Sequence, residues 1–169
     1  MKFLLALLVS LSFLQANSYE GDVTAEEAYQ MQKNGEAIIV DVRTTLEFIY
    51  TGHGEGFINI PAYYWTYDEK PIETRVKSAD YEVKNSKVKD HVSAMKLYNA
   101  KEVVNKNFVK EVMEAMKMQN VSKVILVCRS GPRSSAAANV LAQEGITAYN
   151  LEDGFTFGWK EAGMPWGGQ

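Results

Sequence analysis

The sequence predicts an α/β domain built on a parallel sheet with helices on both faces, and three observations carry that expectation. Two compact runs, "AIIVDVR" (37–43) and "KVILVC" (123–128), are apolar at nearly every position and rich in β-branched residues. A strand with one face in water alternates apolar and polar residues, so runs like these are strands buried on both sides. Between them lie segments of helical period. In "NFVKEVMEAMKMQN", Phe108, Val112, Ala115 and Met116 share one face, as an amphipathic helix requires. Strand and helix go on alternating to the end of the chain, the pattern of a parallel sheet joined by helical crossovers. With 169 residues, 46% of them hydrophobic, the chain has the size of one domain with its own core.

Residues 1–18, "MKFLLALLVSLSFLQANS", stand apart. Lys2 supplies a positive start, 3–13 an apolar core, and "ANS" small residues before a cut. We read this segment as a secretory signal peptide removed near Ser18 and Tyr19. Its apolar run is shorter than the ~20 residues of a membrane span, and no cysteine follows to take a lipid. The expectation is an exported chain, periplasmic if bacterial, with 19–169 as a single domain and no membrane span once the signal is removed. Thr24 and Glu27 form a capping box that opens the helix "AEEAYQMQKNG", stopped at Gly35. After the strand at 37–43, "TLEFIY" is a short helix, "TGHGEG" a glycine-dense turn, and "FINIP" a second short strand closed by Pro61. From Tyr63 onward the chain turns polar, lysine-rich and weakly periodic. Residues 66–101 read as an insertion or long loop, with a helical turn near 92–97. Tyr63, Tyr64 and Trp65 either pack on the domain body or line a ligand pocket. "KVILVC" is the strongest strand. "PRSSAAANVLAQEG" is a helix ended by Gly145, "AYNLEDG" a final strand, and "FTFGWKEAGMPW" a closing helix and tail.

The single cysteine, Cys128, ends the strongest strand, and in parallel α/β sheets ligands gather beyond the carboxyl ends of the strands. One cysteine makes no internal disulfide. In an exported chain it is a reactive thiol, half of an intermolecular pair, or an inert core residue. The neighbours favour reactivity. In "CRSGPRS", Gly131 permits a tight path and Pro132 suits the first helical turn. Backbone N–H groups converge at the helix start, which carries partial positive charge. A thiolate is stabilised there by those donors and by Arg129 or Arg133, and the same donors would hold an anionic substrate against it. The formal charge of −3 gives no basic surface for nucleic acid. One cysteine and two well-separated histidines, His53 and His91, make no metal-ligand cluster, and no cofactor is implied.

Four segments together resemble the single-domain rhodaneses: "IIVDVRTTLEF" with D-x-R at its strand end, "TGHGEGFINIP", the loop "CRSGPRS", and the tail "LEDGFTFGWKEAGMPW". The resemblance spans roughly 23–166, interrupted by the 66–101 stretch. It implies a rhodanese-like three-layer α/β/α fold with a central parallel sheet of about five strands. It also implies a sulfurtransferase that cycles Cys128 between thiolate and persulfide, with ping-pong kinetics. In that reading the backbone of Arg129, Ser130, Gly131, Pro132, Arg133 and Ser134 holds the terminal sulfur. Arg133 attracts a small anionic donor, thiosulfate or polysulfide. Arg129 stands where mercaptopyruvate-using relatives tend to carry glycine, which tilts the donor toward those two anions. The acceptor would be a thiophile such as cyanide or a thiol, with a redox protein as a further candidate partner.

The related cysteine phosphatases and arsenate reductases keep one more residue between cysteine and arginine. Here four stand between Cys128 and Arg133, which makes a smaller cradle suited to a sulfur atom. A phosphatase- or arsenate-reductase-like enzyme stays open as an alternative. So does an exported persulfide carrier or sensor serving a dedicated partner, for which the 66–101 stretch offers a docking surface. Asp41, Arg43 and His53 are candidate supporting residues. The first two read as a structural ion pair or as site residues, and His53 as a hydrogen-bonder in its turn or a general base. Relative to the family's "GHIPGA", Gly54 and Glu55 replace I-P and Phe57 replaces a small residue. These departures leave the packing around His53 open.

Overall fold

The computed structural model describes residues 18–77 and 101–168. Apart from Ser18, the signal segment lies outside the described residues, as does the helical turn expected near 92–97. Among the described residues no helix is long and apolar enough to cross a membrane. In chain order the elements are β1 (Gly21–Val23), α1 (Ala25–Lys33), β2 (Ala37–Asp41), α2 (Thr45–Thr51), β3 (His53–Gly54), β4 (Ile58–Asn59), β5 (Tyr63–Thr66), β6 (Lys101–Val104), α3 (Phe108–Gln119), β7 (Lys123–Val127), α4 (Pro132–Gln143), β8 (Thr147–Leu151), a π-helical turn (Gly154–Trp159) and β9 (Trp166–Gly167).

Five strands pair in parallel in the order β1-β8-β7-β2-β4. Every residue of β2 is buried, as its unbroken apolar run requires of a strand covered on both faces. Ile38, Val40, Val124, Leu126 and Cys128 pack with Phe108 and Val112 of α3 and Ala138 and Leu141 of α4. The alternate residues Ala37, Ile39, Ile125 and Val127 pack with Ala28 of α1 and with Phe57, Phe155 and Trp159. This period-two division of one strand pair between two cores is the three-layer α/β/α arrangement.

Helix starts follow local chemistry. The Thr24–Glu27 capping box is formed, with Glu27 N–H on Thr24 Oγ1 at 3.2 Å and Thr24 N–H on Glu27 Oε2 at 2.9 Å. The same device opens α2 through Thr44 and Glu47. In three places the structure departs from the sequence reading. β1 adds a short edge strand held by β8. Tyr63–Thr66, read as the start of the polar stretch, and Lys101–Val104, at its end and just beyond, are the antiparallel strands β5 and β6, so the long polar stretch leaves and returns through a two-stranded ribbon. Asn105 fixes the base of that ribbon: its N–H donates to the Ala62 carbonyl at 2.9 Å, and its side chain to the Pro61 carbonyl at 2.9 Å.

The closing helix is a π-helical turn followed by β9, which pairs with β3. The segment starts on Asp153 and Gly154, both at positive φ (56° and 62°), and breaks at Gly163 (φ 70°) before Pro165. Trp159 closes it by donating its indole N–H to the Pro165 carbonyl at 2.9 Å.

The exchange at Gly54 and Phe57 is a swap of volume. A Cβ placed on Gly54 would lie 2.3 Å from the Phe57 ring, and that ring meets Trp159 with centroids 4.6 Å apart. Phe57 therefore occupies the space that a branched residue at Gly54 would fill. Gly54→Ile alone overpacks the site and costs ~1–3 kcal/mol, while Phe57→Ala alone opens a cavity worth ~3–5 kcal/mol. In the double variant the loss falls short of the sum by at least ~1 kcal/mol, measured by denaturant unfolding. Strict additivity would show that the two side chains do not share one volume.

Candidate active site

Cys128 follows directly on β7 and is 1% exposed. The loop after it turns at Gly131, whose φ of 103° and ψ of −48° suit glycine. That turn aims the Gly131 N–H at the sulfur, donating to Sγ at 3.2 Å. Helix α4 then begins with Pro132, which loses no hydrogen bond at that position. The Ser134 hydroxyl donates to the Gly131 carbonyl at 2.9 Å and also lies within reach of the sulfur. Having one proton, it serves one acceptor at a time. Burial pushes the Cys128 thiol up, but the Ser134 hydroxyl and the N–H groups of Ser130, Ser134 and Gly131 together outweigh it. They hold the thiol below its ordinary value of 9.0. Directed donors at a helix start favour the thiolate here.

The back of the loop is carried by the π-helical turn. The Phe155 N–H donates to the Cys128 carbonyl at 2.8 Å and the Thr156 N–H to the Arg129 carbonyl at 3.0 Å. Gly154 makes this approach possible, since a Cβ there would lie 2.6 Å from Ser130 N and 2.7 Å from the Cys128 carbonyl oxygen. Arg129, Ser130 and Pro132 form the exposed outer side of the loop, while Ser134 is buried.

Arg133 does not stand free. Its guanidinium donates to both carboxylate oxygens of Glu47, at 3.0 and 2.8 Å. Glu47 also accepts from the Thr44 N–H and hydroxyl, at 3.1 and 3.0 Å, so the capping box of α2 and the cysteine loop share one carboxylate. Burial pushes the Glu47 carboxyl up, but Arg133 and the Thr44 bonds outweigh it and hold it below its usual range. Arg133 itself is held above its usual value by Glu47, against the effect of burial, with a smaller contribution from the charge of Cys128. Two of its five N–H groups are taken by Glu47, which leaves three for an anion.

Asp41 and Arg43 form a buried ion pair, 0% and 1% exposed, with Nη2 on Oδ2 at 2.6 Å. Arg43 also donates to Thr51 Oγ1 and to the Gly52 carbonyl, each at 2.8 Å, and lies over the Phe155 ring at 4.6 Å. The pair is thus a structural hub beside the site. His53 stacks on Phe48 with centroids 3.8 Å apart and places Nδ1 3.2 Å from the Phe48 carbonyl, which ties β3 to α2. His91 lies outside the described residues.

Sequence reasoning missed Glu47, Gly154 and Phe155. Only Glu47 left a usable signal, the T-x-x-E spacing from Thr44. Gly154 and Phe155 reach the loop by tertiary approach alone.

A parallel α/β sheet whose central strand runs through a cysteine-bearing loop into a helix defines a small class of proteins. The chain belongs to the rhodanese-like domain family, whose model matches residues 24–162. An uncharacterized protein of Rickettsia prowazekii (strain Madrid E), RP600, is 36% identical over 69 residues, covering 37% of this chain and 56% of that protein. The match thus spans about half the length of that curated relative. Among solved structures, Rv0390 from M. tuberculosis superposes with a TM-score of 0.56 at 25% identity, covering 89% of this chain and 98% of that one. Two more distant structures share the fold. The thiosulfate sulfurtransferase from Pseudomonas aeruginosa has a TM-score of 0.52 at 19% identity, covering 88% of this chain and 20% of that one. The As-Sb reductase from Leishmania major has a TM-score of 0.50 at 13% identity, covering 86% and 80%.

Two outcomes are expected of this geometry. Titration of the Cys128 thiolate by its ultraviolet absorbance has a midpoint below the ordinary 9.0, and Ser134→Ala moves it upward by removing a donor to the charged form. Because the folded midpoint is the lower one, stability rises with pH between the folded and unfolded midpoints. A midpoint at or above that of a free thiol would show that burial dominates. Asp41→Asn leaves the Arg43 charge buried without its partner and costs ~3–5 kcal/mol, read as a fall in the denaturant midpoint.

Proposed function

We propose that this chain is a sulfurtransferase in which Cys128 takes a sulfane sulfur from thiosulfate or polysulfide and passes it to a thiophile. One observation carries the reading: the Gly131 N–H lies 3.2 Å from Cys128 Sγ, in a loop with four residues between Cys128 and Arg133. The N–H groups of Ser130 and Ser134 also help hold the Cys128 thiol below its ordinary value. In the first half-reaction the thiolate attacks the outer sulfur of thiosulfate. A new S–S bond forms on Sγ, the old one breaks, and sulfite leaves with the electron pair. The loop N–H groups hold the persulfide sulfur as they held the thiolate, so the charge stays matched throughout the step. In the second half-reaction the thiophile attacks the outer sulfur and Sγ returns as thiolate. Arg133 orients the anionic donor through the N–H groups that Glu47 leaves unused. A thiolate already favoured by its surroundings needs no general base, consistent with His53 packing on Phe48. With 1–18 read as a signal peptide, the reaction takes place outside the cytoplasm, in the periplasm of a bacterium.

A second reading, a persulfide carrier that serves one protein partner, is favoured by α2. Next to Glu47 it exposes Leu46, Ile49 and Tyr50, the last at 66%, among the described residues. That face suits docking beside the cysteine loop.

Intact mass spectrometry after incubation with thiosulfate, and separately with polysulfide, tests both readings. The chain gains one sulfur atom, the gain is absent in Cys128→Ser, and cyanide removes it. A stable adduct that cyanide discharges only slowly points to the carrier. No adduct with either donor sinks the sulfurtransferase reading.

A further inference from the structure

A recess of about 240 Å³ lies between the β5–β6 ribbon and the cysteine loop, lined by Val42, Thr44, Tyr63, Trp65, Glu102 and Arg133. We propose that it is the acceptor subsite, built for a zwitterionic aminothiol of the class of cysteine; the assignment of its occupant as acceptor rests on the sulfurtransferase reading above.

Position is the first argument. Arg133 belongs to the loop that starts at Cys128 and itself lines the recess, so a molecule held against Arg133 sits beside that loop. Size is the second. Drug-sized ligands occupy roughly 300–1,000 Å³, and a bare inorganic anion would leave most of this recess empty. An amino-acid-sized body fits between those limits.

The lining chemistry is the third. Tyr63 and Trp65 are the half-buried members of β5, whereas Tyr64 and Thr66 face solvent, so one face of the strand presents two aromatic rings to the recess. Glu102 stands directly across from Trp65 in the ribbon register. A carboxylate beside an aromatic face is a site for an ammonium group. In the same lining Arg133 keeps N–H groups for a carboxylate, its pair with Glu47 using two. A ligand carrying both charges finds a partner for each in one recess. Glu102 also disfavours a purely anionic occupant, which separates this subsite from the donor cradle around Cys128.

The transfer balances without a further reactant. The acceptor thiol R–SH attacks the outer sulfur of the persulfide anion Cys128–S–S⁻ and forms a new S–S bond, its proton passing to that outer sulfur. The bond to Cys128 Sγ breaks, its electron pair leaves as the Cys128 thiolate, and the product is R–S–SH.

The first test needs no turnover. S-methylcysteine, which cannot accept sulfur, is titrated into the full chain by calorimetry. Saturable binding is expected, weakened about five- to tenfold by Glu102→Gln, by Trp65→Ala, and by replacing the probe with 3-(methylthio)propionate, which lacks the ammonium. No saturable binding, or equal affinity in Glu102→Gln, or equal affinity for the propionate, overturns the subsite whether or not Cys128 forms a persulfide. The second test loads Cys128 with thiosulfate and compares discharge by cysteine with discharge by cyanide. The ratio of the two rates falls about fivefold in Glu102→Gln, and an unchanged ratio overturns the assignment as acceptor site. Failure to load at all counts against the sulfurtransferase reading, and the calorimetry then decides the subsite by itself.

Discussion

Arg43 carries a charge that water cannot reach, 1% exposed, and the way that charge is matched decides where everything around Cys128 sits. An unpaired buried guanidinium is prohibitively costly, so its partners are obligatory. They come from three places: Asp41 at the end of β2, Thr51 and Gly52 at the end of α2, and the Phe155 ring in the π-helical turn. Asn59 adds β4, donating to the Asp41 and Arg43 carbonyls at 3.0 and 2.9 Å. Phe155 passes the constraint on, because its own N–H holds the Cys128 carbonyl. Buried ion pairs contribute little net stability against an apolar replacement. What this one contributes is a single relative placement of strand end, helix end and cysteine loop.

That placement separates two kinds of electrostatics. The thiolate is favoured by the Gly131 N–H at 3.2 Å, with the Ser130 and Ser134 donors adding to it, around a buried sulfur where salt has little access. Arg133 is half-exposed and shares its charge with Glu47, so in the proposed reaction its attraction for an anionic donor weakens as ionic strength rises. The state of the thiolate and the proposed capture of a donor therefore respond to different variables, although one short loop would serve both.

The sheet and the cysteine loop were legible because each rests on a local rule. Unbroken β-branched runs mark doubly covered strands, and glycine and proline mark the turn into α4. The Thr24–Glu27 box was read; its twin at Thr44–Glu47 was not, and with it the carboxylate that Arg133 grips. β1, β6 and β9 had no such rule to announce them. A two- to four-residue strand takes its conformation from its partner's hydrogen bonds, as Lys101–Val104 does from Tyr63–Thr66. The π-helical turn was read as an ordinary helix because its aromatic spacing suits either. Its true form follows from Gly154 lying against the loop backbone, a contact between residues far apart in sequence. The Gly54 and Phe57 departures leave the packing open when read one at a time and make sense only as a pair.

The ribbon stands in a different relation to the chemistry than the loop does. Its base is rigid: the Ala62 N–H donates to the Val42 carbonyl at 3.1 Å, and Asn105 closes the other side. Val42 lies between Asp41 and Arg43, so the ribbon is mounted on the same strand end that positions Cys128. Tyr63, Trp65 and Glu102 line one recess with Arg133 and are not among the groups that favour the thiolate. Substitutions there can change what approaches the loop while leaving the donors to sulfur in place. The proposed subsite can therefore vary while the Arg43 hub and the cysteine cradle stay as they are.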